Sequence, residues 1–206
     1  GFDLTWQELN EAAVAIHHGA HWVATNIDPT RPTDRGLVPG NGAAVAAVRM
    51  AVAAEPEVAG KPYRPLLDDT VSRLGAHHPL FVGDRLDTDI AGAVNAGLDS
   101  MLVLSGSHRA AELFDAAPGQ RPTFVGQDLR GLLRPALVVS QSGGAFRCGK
   151  ASASAVEGQL FVQHNGSSEV EAIWAAAHAM WWAADHGLVI DSRNAVRQLV
   201  GNDHLE

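Results

Sequence analysis

Leu80-Phe81-Val82-Gly83-Asp84-Arg85-Leu86-Asp87-Thr88-Asp89-Ile90 is the stretch whose reading settles the fold class. Its first three residues are a continuous apolar run, the pattern of a strand buried on both faces; a half-exposed strand would alternate. Asp84 follows Gly83 at the end of that strand, and in open parallel sheets ligands bind beyond the carboxyl ends of the strands. A carboxylate placed there is a hard oxygen donor suited to a divalent cation, and Asp89 could hold metal-bound water from behind it. A competing reading is that the aspartates only complement the positive end of the short helix expected at Ile90 to Ala96.

Outward from this stretch, strands and helices alternate. Downstream, Gly97 caps the short helix, Met101 to Leu104 reads as a strand, Thr123-Phe124-Val125 as another, and Leu129 to Leu133 as a short helix. Upstream, Thr5-Trp6-Gln7-Glu8 is a capping-box pattern, followed by Leu9, Ala12, Ala13 and Ile16 at helical spacing up to a stop at Gly19. His21 to Thr25 is a short apolar run, residues 26–42 are turn-rich and read as a long loop, and Ala43 to Ala54 reads as a helix. A short strand at Glu57 to Gly60 and a helix at Pro65 to Leu74 lead back to Leu80. This alternation implies an α/β fold with a parallel, doubly wound sheet.

Beyond Pro135 the texture changes. Phe146 to Gln163 holds two potential strands around a hairpin signal at Glu157-Gly158, and Ser168-Glu169-Val170-Glu171 caps a helix running to Gly187. Val170, Ile173, Trp174, Ala177, Trp181 and Ala184 fall on one face of that helix, which reads as core. A separate small α+β module is expected here.

Composition narrows the function classes. The 206 residues carry a net charge of −8, which argues against nucleic acid or an anionic membrane as the main partner, because both reward a basic surface. A lone cysteine, Cys148, excludes an internal disulfide and favours a cytoplasmic location. The opening GFDLTWQELN lacks the charged and apolar regions of a signal peptide, and the apolar tract from Ala172 to Ala184 is too short to span a bilayer. Leu205-Glu206 reads as a cloning scar. His17-His18 and His77-His78 are adjacent pairs that cannot share a helix face, so the histidines read as surface or core imidazoles. Asn165-Gly166-Ser167 matches a glycosylation sequon and reads as a turn.

Lys61, in Gly60-Lys61-Pro62, begins the segment leading into the helix before Leu80. An ammonium there could offset the repulsion between a phosphate and an attacking carboxylate, which desolvation would otherwise sharpen. With GKP, GDRLDTDI and the stretch ATNIDPTRPTDRGLVPGNGAAVAAV (residues 24–48), the pattern resembles the haloacid dehalogenase (HAD) phosphatases. It is most similar to the subclass with a large α/β (C2-type) cap, which includes phosphoglycolate, pyridoxal phosphate and 4-nitrophenylphosphate phosphatases. The resemblance covers about Gly1 to Leu133, and the tail resembles an acetyltransferase-like (GNAT-related) region.

The resemblance implies a HAD-like Rossmannoid parallel sheet with the C-terminal part of a cap (residues 1–57), the C-terminal part of the phosphatase core (58–134) and a small GNAT-like module (135–206). It implies hydrolysis of a small phosphomonoester, glycerol 3-phosphate first, with phosphoglycolate or an aryl phosphate such as 4-nitrophenylphosphate as alternatives, and a non-catalytic module that binds a phosphorylated ligand as the reading of a different class. Phosphoryl transfer would run through an aspartyl-phosphate. Asp84 would be the Mg²⁺ ligand, Asp89 its support, and Lys61 the group holding phosphate and nucleophile. Asn26, Asp28 and Arg31 would lie in the cap loop that selects the leaving group, although Asn26, Asp28 and Pro29 are equally turn formers. The nucleophile motif, a DxDGT-like loop after a strand, is absent from these residues. Phe2-Asp3-Leu4-Thr5 follows no strand, so Asp3 is rejected as nucleophile. The chain therefore reads as one part of an enzyme, inactive without the missing N-terminal half and expected to bind it and to dimerise through the cap. No pyrophosphate-binding glycine loop is found in the tail, which points to a structural or regulatory role for it.

Overall fold

The computed structural model describes residues 4–200. Asp3 and the Leu205-Glu206 pair lie outside the described residues. The chain divides into two compact units, 1–77 and 78–206.

In the first unit, α1 (Trp6–His17) is closed at its start as the sequence suggests: Thr5 and Glu8 cap each other's backbone amides. Its apolar face packs on α2 (Asn41–Arg49), with Ala13, Val48 and Val52 buried between them and Leu9, Ile16 and Trp22 around them. The stretch read as a long loop is not one. It holds a hairpin, β2 (Thr30–Thr33) against β3 (Gly36–Pro39), in which Arg31 faces Val38. Pro32 donates no ladder hydrogen bond and masks the strand in the sequence; a two-stranded ribbon tolerates it because each strand has an unpaired edge. β1 (Val23–Ala24) and β4 (Glu57–Val58) pair in parallel, and α3 (Pro65–Leu74) follows.

The second unit opens with β5 (Leu80–Gly83), a five-residue π-helical turn (Leu86–Ile90) and α4 (Ala91–Ala96). β6 (Asp99–Val103) and β7 (Phe124–Gly126) complete a parallel sheet in the order β5-β6-β7, with Val82, Met101 and Phe124 in one row. Between β6 and β7 lies α5 (Ala110–Phe114), a helix too short to announce itself by periodicity. Residues 139–163 form four strands where two were expected: β8 (Val139–Ser142), β9 (Ala145–Cys148), β10 (Ala151–Val156) and β11 (Gln159–Gln163), an antiparallel meander. The turn at Glu157-Gly158 has both residues at positive φ, as a tight hairpin requires, and Gly143-Gly144 does the same between β8 and β9.

Helix α6 (Glu169–Asp185) starts at the Ser168/Glu171 capping box and covers one face of this meander, and α7 (Arg193–Val200) follows it. Ile173, Trp174, Ala177 and Trp181 are buried as expected, whereas Ala184, near the end of the helix, is exposed. No core boundary falls at residue 134. Ile90, Leu102, Leu113 and Val125 belong to the same apolar cluster as Phe146, Leu160, Ile173, Trp181 and Val196. Two polar links fasten the same junction. The Trp181 indole N–H donates to the Leu113 carbonyl at 2.9 Å, and Arg121 forms a two-pronged pair with Asp185 at 2.7 and 2.8 Å.

Trp181→Phe keeps most of the ring's packing but removes one of the donors to the Leu113 carbonyl, which the Ala116 amide still serves, so the loss is that of one hydrogen bond, about 0.5–1.5 kcal/mol. Urea denaturation followed by far-UV circular dichroism should show that loss as a lower midpoint with an unchanged slope.

Candidate active site

Two sets of sequence-selected residues sit at the carboxyl ends of parallel strands. Asn26 and Asp28 follow β1 and Lys61 follows β4, in the same unit. These loops are pressed together: a Cβ on Gly60 would collide with the Thr25 carbonyl and lie 3.6 Å from the Asn26 Cβ. Asn26 shapes its own loop, its side-chain oxygen accepting from the Asp28 amide at 3.1 Å and its carbonyl accepting from the Asn41 side chain at 2.7 Å. The turn-forming reading of Asn26 is therefore met. Asp28 Oδ1 differs, since it is buried and has no hydrogen-bond partner in the structure. A buried carboxylate oxygen without a donor is costly and invites one from outside the protein. Arg31 stands on β2.

The second set surrounds the end of β5. The three acidic residues of the 84–89 loop have three different partners. Asp87 pairs with Arg85 at 2.6 Å. Asp89 is buried and reaches backward, its Oδ2 accepting from the Asp84 and Arg85 amides, both at 3.1 Å. Half-buried Asp84 stands at the strand end, its Oδ2 accepting from the Ser107 amide at 2.7 Å. Arg85, the N-cap of the adjoining turn, makes no side-chain cap hydrogen bond, and Asp89 reaches back to its amide, so the capping reading accounts for Asp89 in part but not for Asp84 or Asp87. A five-residue spacing that widens into a π turn is what carries the Asp89 carboxylate back beneath Gly83. A Cβ on Gly83 would strike that carboxylate, and one on Gly106 would strike Asp84.

Burial alone would raise the Asp84 pKa. Hydrogen bonds from Ser107 and from its own backbone, with the charge of Arg85, outweigh that and hold it below the ordinary carboxylate range. Asp84 is thus an anion at neutral pH, as a ligand for a hard cation must be.

The loop that grips Asp84, Gly106-Ser107-His108, follows β6 and was missed in the sequence. The His108 amide donates to the Asp84 carbonyl at 3.0 Å, and the Leu86 amide donates to His108 Nδ1 at 2.9 Å. The one available signal is position: in a parallel sheet the loop after the neighbouring strand lies beside the loop after β5.

Among the described residues, no three His, Cys, Asp or Glu side chains converge as a metal cage would require. Magnesium does not need such a cage. It retains several waters and is held by one or two carboxylates with substrate phosphate, so Asp84 suits it as one direct ligand. No helix among the described residues is long and apolar enough to cross a membrane.

Residues 58–132 match the HAD-hydrolase-like family model. The D-glycerol 3-phosphate phosphatase of Mycobacterium tuberculosis is 53% identical over 134 residues, covering 64% of this chain and 38% of that protein. A 5'-nucleotidase of Bacillus subtilis is 33% identical over 114 residues, 54% of this chain and 44% of the other. The crystal structure of a glycerol phosphate phosphatase from M. tuberculosis in complex with magnesium superposes with a TM-score of 0.73 at 37% identity, over 98% of this chain and 62% of that one. The chain thus spans about two fifths of the curated relatives it matches, and its similarity to the HAD-hydrolase-like family model lies within residues 58–132.

Because Asp84 has its pKa lowered by folding, its stabilising effect is complete above the unfolded carboxylate pKa and vanishes as pH falls through the lowered folded value. Asp84→Asn should therefore give a shallower loss of stability on acidification. Thermal midpoints measured from neutral pH down to about pH 3, below the usual aspartate pKa, are the check.

Proposed function

We propose that this chain is part of a magnesium-dependent HAD-type phosphatase that hydrolyses a small phosphomonoester, glycerol 3-phosphate first among the candidates. The observation that carries the reading is the end of β5, where Asp89 fixes two backbone amides and Asp84 is left as an anchored, ionised carboxylate. The similarity to the M. tuberculosis phosphatase and to its magnesium complex supports both the reaction class and the ion.

In this reading Asp84 binds Mg²⁺, and Asp89 keeps the Asp84 backbone in place. The ion would offset negative charge on the phosphate. Lys61 would supply a second positive charge toward the phosphate. The nucleophile is an aspartate outside this chain, in the remainder of a longer polypeptide, and attacks phosphorus to give an aspartyl-phosphate that water then hydrolyses. This chain would be inactive without that part. Asn26, Asp28 and Arg31 select the leaving group. The unpartnered Asp28 Oδ1 suits a hydroxyl donor, which a polyol phosphate offers and 4-nitrophenylphosphate, its alternative together with phosphoglycolate, does not. A cytoplasmic enzyme dimerising through residues 1–57 fits the resemblance, as does a GNAT-like tail that serves structure.

Phosphate release by the complete polypeptide, over a panel of polyol, nucleoside and aryl phosphomonoesters, tests this. Turnover should stop with EDTA and return with Mg²⁺, and Asp84→Asn and Lys61→Ala should each lower kcat/KM by about 100-fold or more, in the range for removed electrostatic groups. Asp28→Asn should impair polyol phosphates more than aryl phosphates. Metal-independent turnover, or unimpaired Asp84→Asn, would reject the assignment; tight phosphate-ester binding without turnover would mark a binding module.

A further inference from the structure

Resting on the reading of Asp84 as metal ligand, we propose that His108 is a positioning residue for that ligand and acts through its Nδ1 lone pair. Three contacts join the loop after β6 to the loop after β5. The Ser107 amide binds Asp84 Oδ2 at 2.7 Å, the His108 amide binds the Asp84 carbonyl at 3.0 Å, and Nδ1 of His108 receives the Leu86 amide at 2.9 Å. The last uses the imidazole itself, so of these three it is the one that depends on which residue stands at 108.

The contacts form a closed ring. Asp84 is held at its carbonyl and its carboxylate, and the residue two places further on is held by the imidazole. The strand end and the start of the π turn are thereby clamped to the neighbouring strand's loop. Gly106 allows the closeness, since any side chain there would meet Asp84. With Oδ2 directed by Ser107, the direction in which the other carboxylate oxygen is presented is set by the same clamp. The Leu86 amide donates to the Nδ1 lone pair, so the imidazole serves this contact as an acceptor.

An apolar residue at 108 would leave the Leu86 amide without its acceptor and loosen the clamp, while leaving every metal ligand in place. Groups that orient metal ligands without touching the metal are worth about 10- to 100-fold in affinity. His108→Leu should therefore raise the Mg²⁺ concentration for half-maximal phosphatase activity about tenfold in the complete polypeptide, with kcat at saturating Mg²⁺ changed far less. His108→Asn should restore the wild-type requirement, because Asn Oδ1 occupies the place of Nδ1 and accepts the same amide. A second readout needs no activity: in the metal-free protein, hydrogen exchange at the Leu86 amide should accelerate in His108→Leu and stay slow in His108→Asn, at matched thermal midpoints.

Unchanged magnesium dependence in His108→Leu, with Asp84→Asn inactive, would overturn the positioning role alone. An Asn variant as impaired as the Leu variant would do the same, since the acceptor would then not be what matters. Asp84→Asn with wild-type magnesium dependence would instead remove the reading on which the proposal stands, and the proposal with it.

Discussion

A buried carboxylate has to be given hydrogen-bond donors, and at the end of β5 that requirement organises everything around it. Asp89 is almost wholly out of water, where an unpaired negative charge would be costly. Its Oδ2 takes the amides of Asp84 and Arg85, the two residues at which the chain leaves the sheet. Those donors can be reached only if the chain doubles back within five residues and nothing projects from residue 83. The π turn meets the first condition and glycine the second. Asp84 is then fixed at its backbone, and the loop after β6 fixes its carboxylate. A charge arrangement that looks like a simple acidic cluster is thus a hierarchy, with one carboxylate spent on the backbone, one on Arg85 and one presented at the strand end.

Part of this hierarchy was legible in the sequence because it obeys one-dimensional rules. An apolar run ending in Gly-Asp marks a buried strand and its exit loop, whereas the hold of Asp89 on the Asp84 and Arg85 amides was not foreseen, since that residue was read as an anchor for metal-bound water. Helix starts were legible for the same reason, since Thr5/Glu8 and Ser168/Glu171 are local pairs. The elements that escaped are non-local or disguised. The β2–β3 hairpin contains Pro32, and β8 reads Val-Ser-Gln-Ser because all but its first residue faces solvent. His108 escaped because its partner is a backbone amide 22 residues away, and no spacing rule links a side chain to a main-chain donor on another loop. The unpartnered oxygen of Asp28 is likewise a property of packing, invisible in the residues Asn-Ile-Asp-Pro.

The change of texture at Pro135 illustrates a different limit. Composition and periodicity do shift there, from parallel strands with intervening helices to a meander under one long helix. That shift was read as the start of a small module, and among the described residues the apolar cluster runs across it without a break. α6 explains why. It is buried over most of its circumference because it has the meander on one side and α5 and α7 on the other, so it cannot be the outer layer of an independent module. Its Trp181 lies edge-on to Trp174, with ring centroids 5.4 Å apart, and donates to α5 with the same indole.

This arrangement gives the tail a mechanical relation to the candidate site. α5 begins two residues after His108, so the loop that grips Asp84 runs directly into a helix whose far end is hydrogen-bonded to Trp181. Arg121, on the same stretch between β6 and β7, is tied to Asp185 at the end of α6 and lies over the Trp181 ring at 5.4 Å. His178, one turn before Trp181, sits between the Trp174 and Trp181 rings, and burial followed by the Arg121 charge lowers its pKa. The segment from 105 to 123 is therefore held at one end by the carboxylate it grips and at the other by the aromatic face of α6. A body that shares its core with the strand bearing Asp84 supports that strand's loops whether or not it performs chemistry of its own.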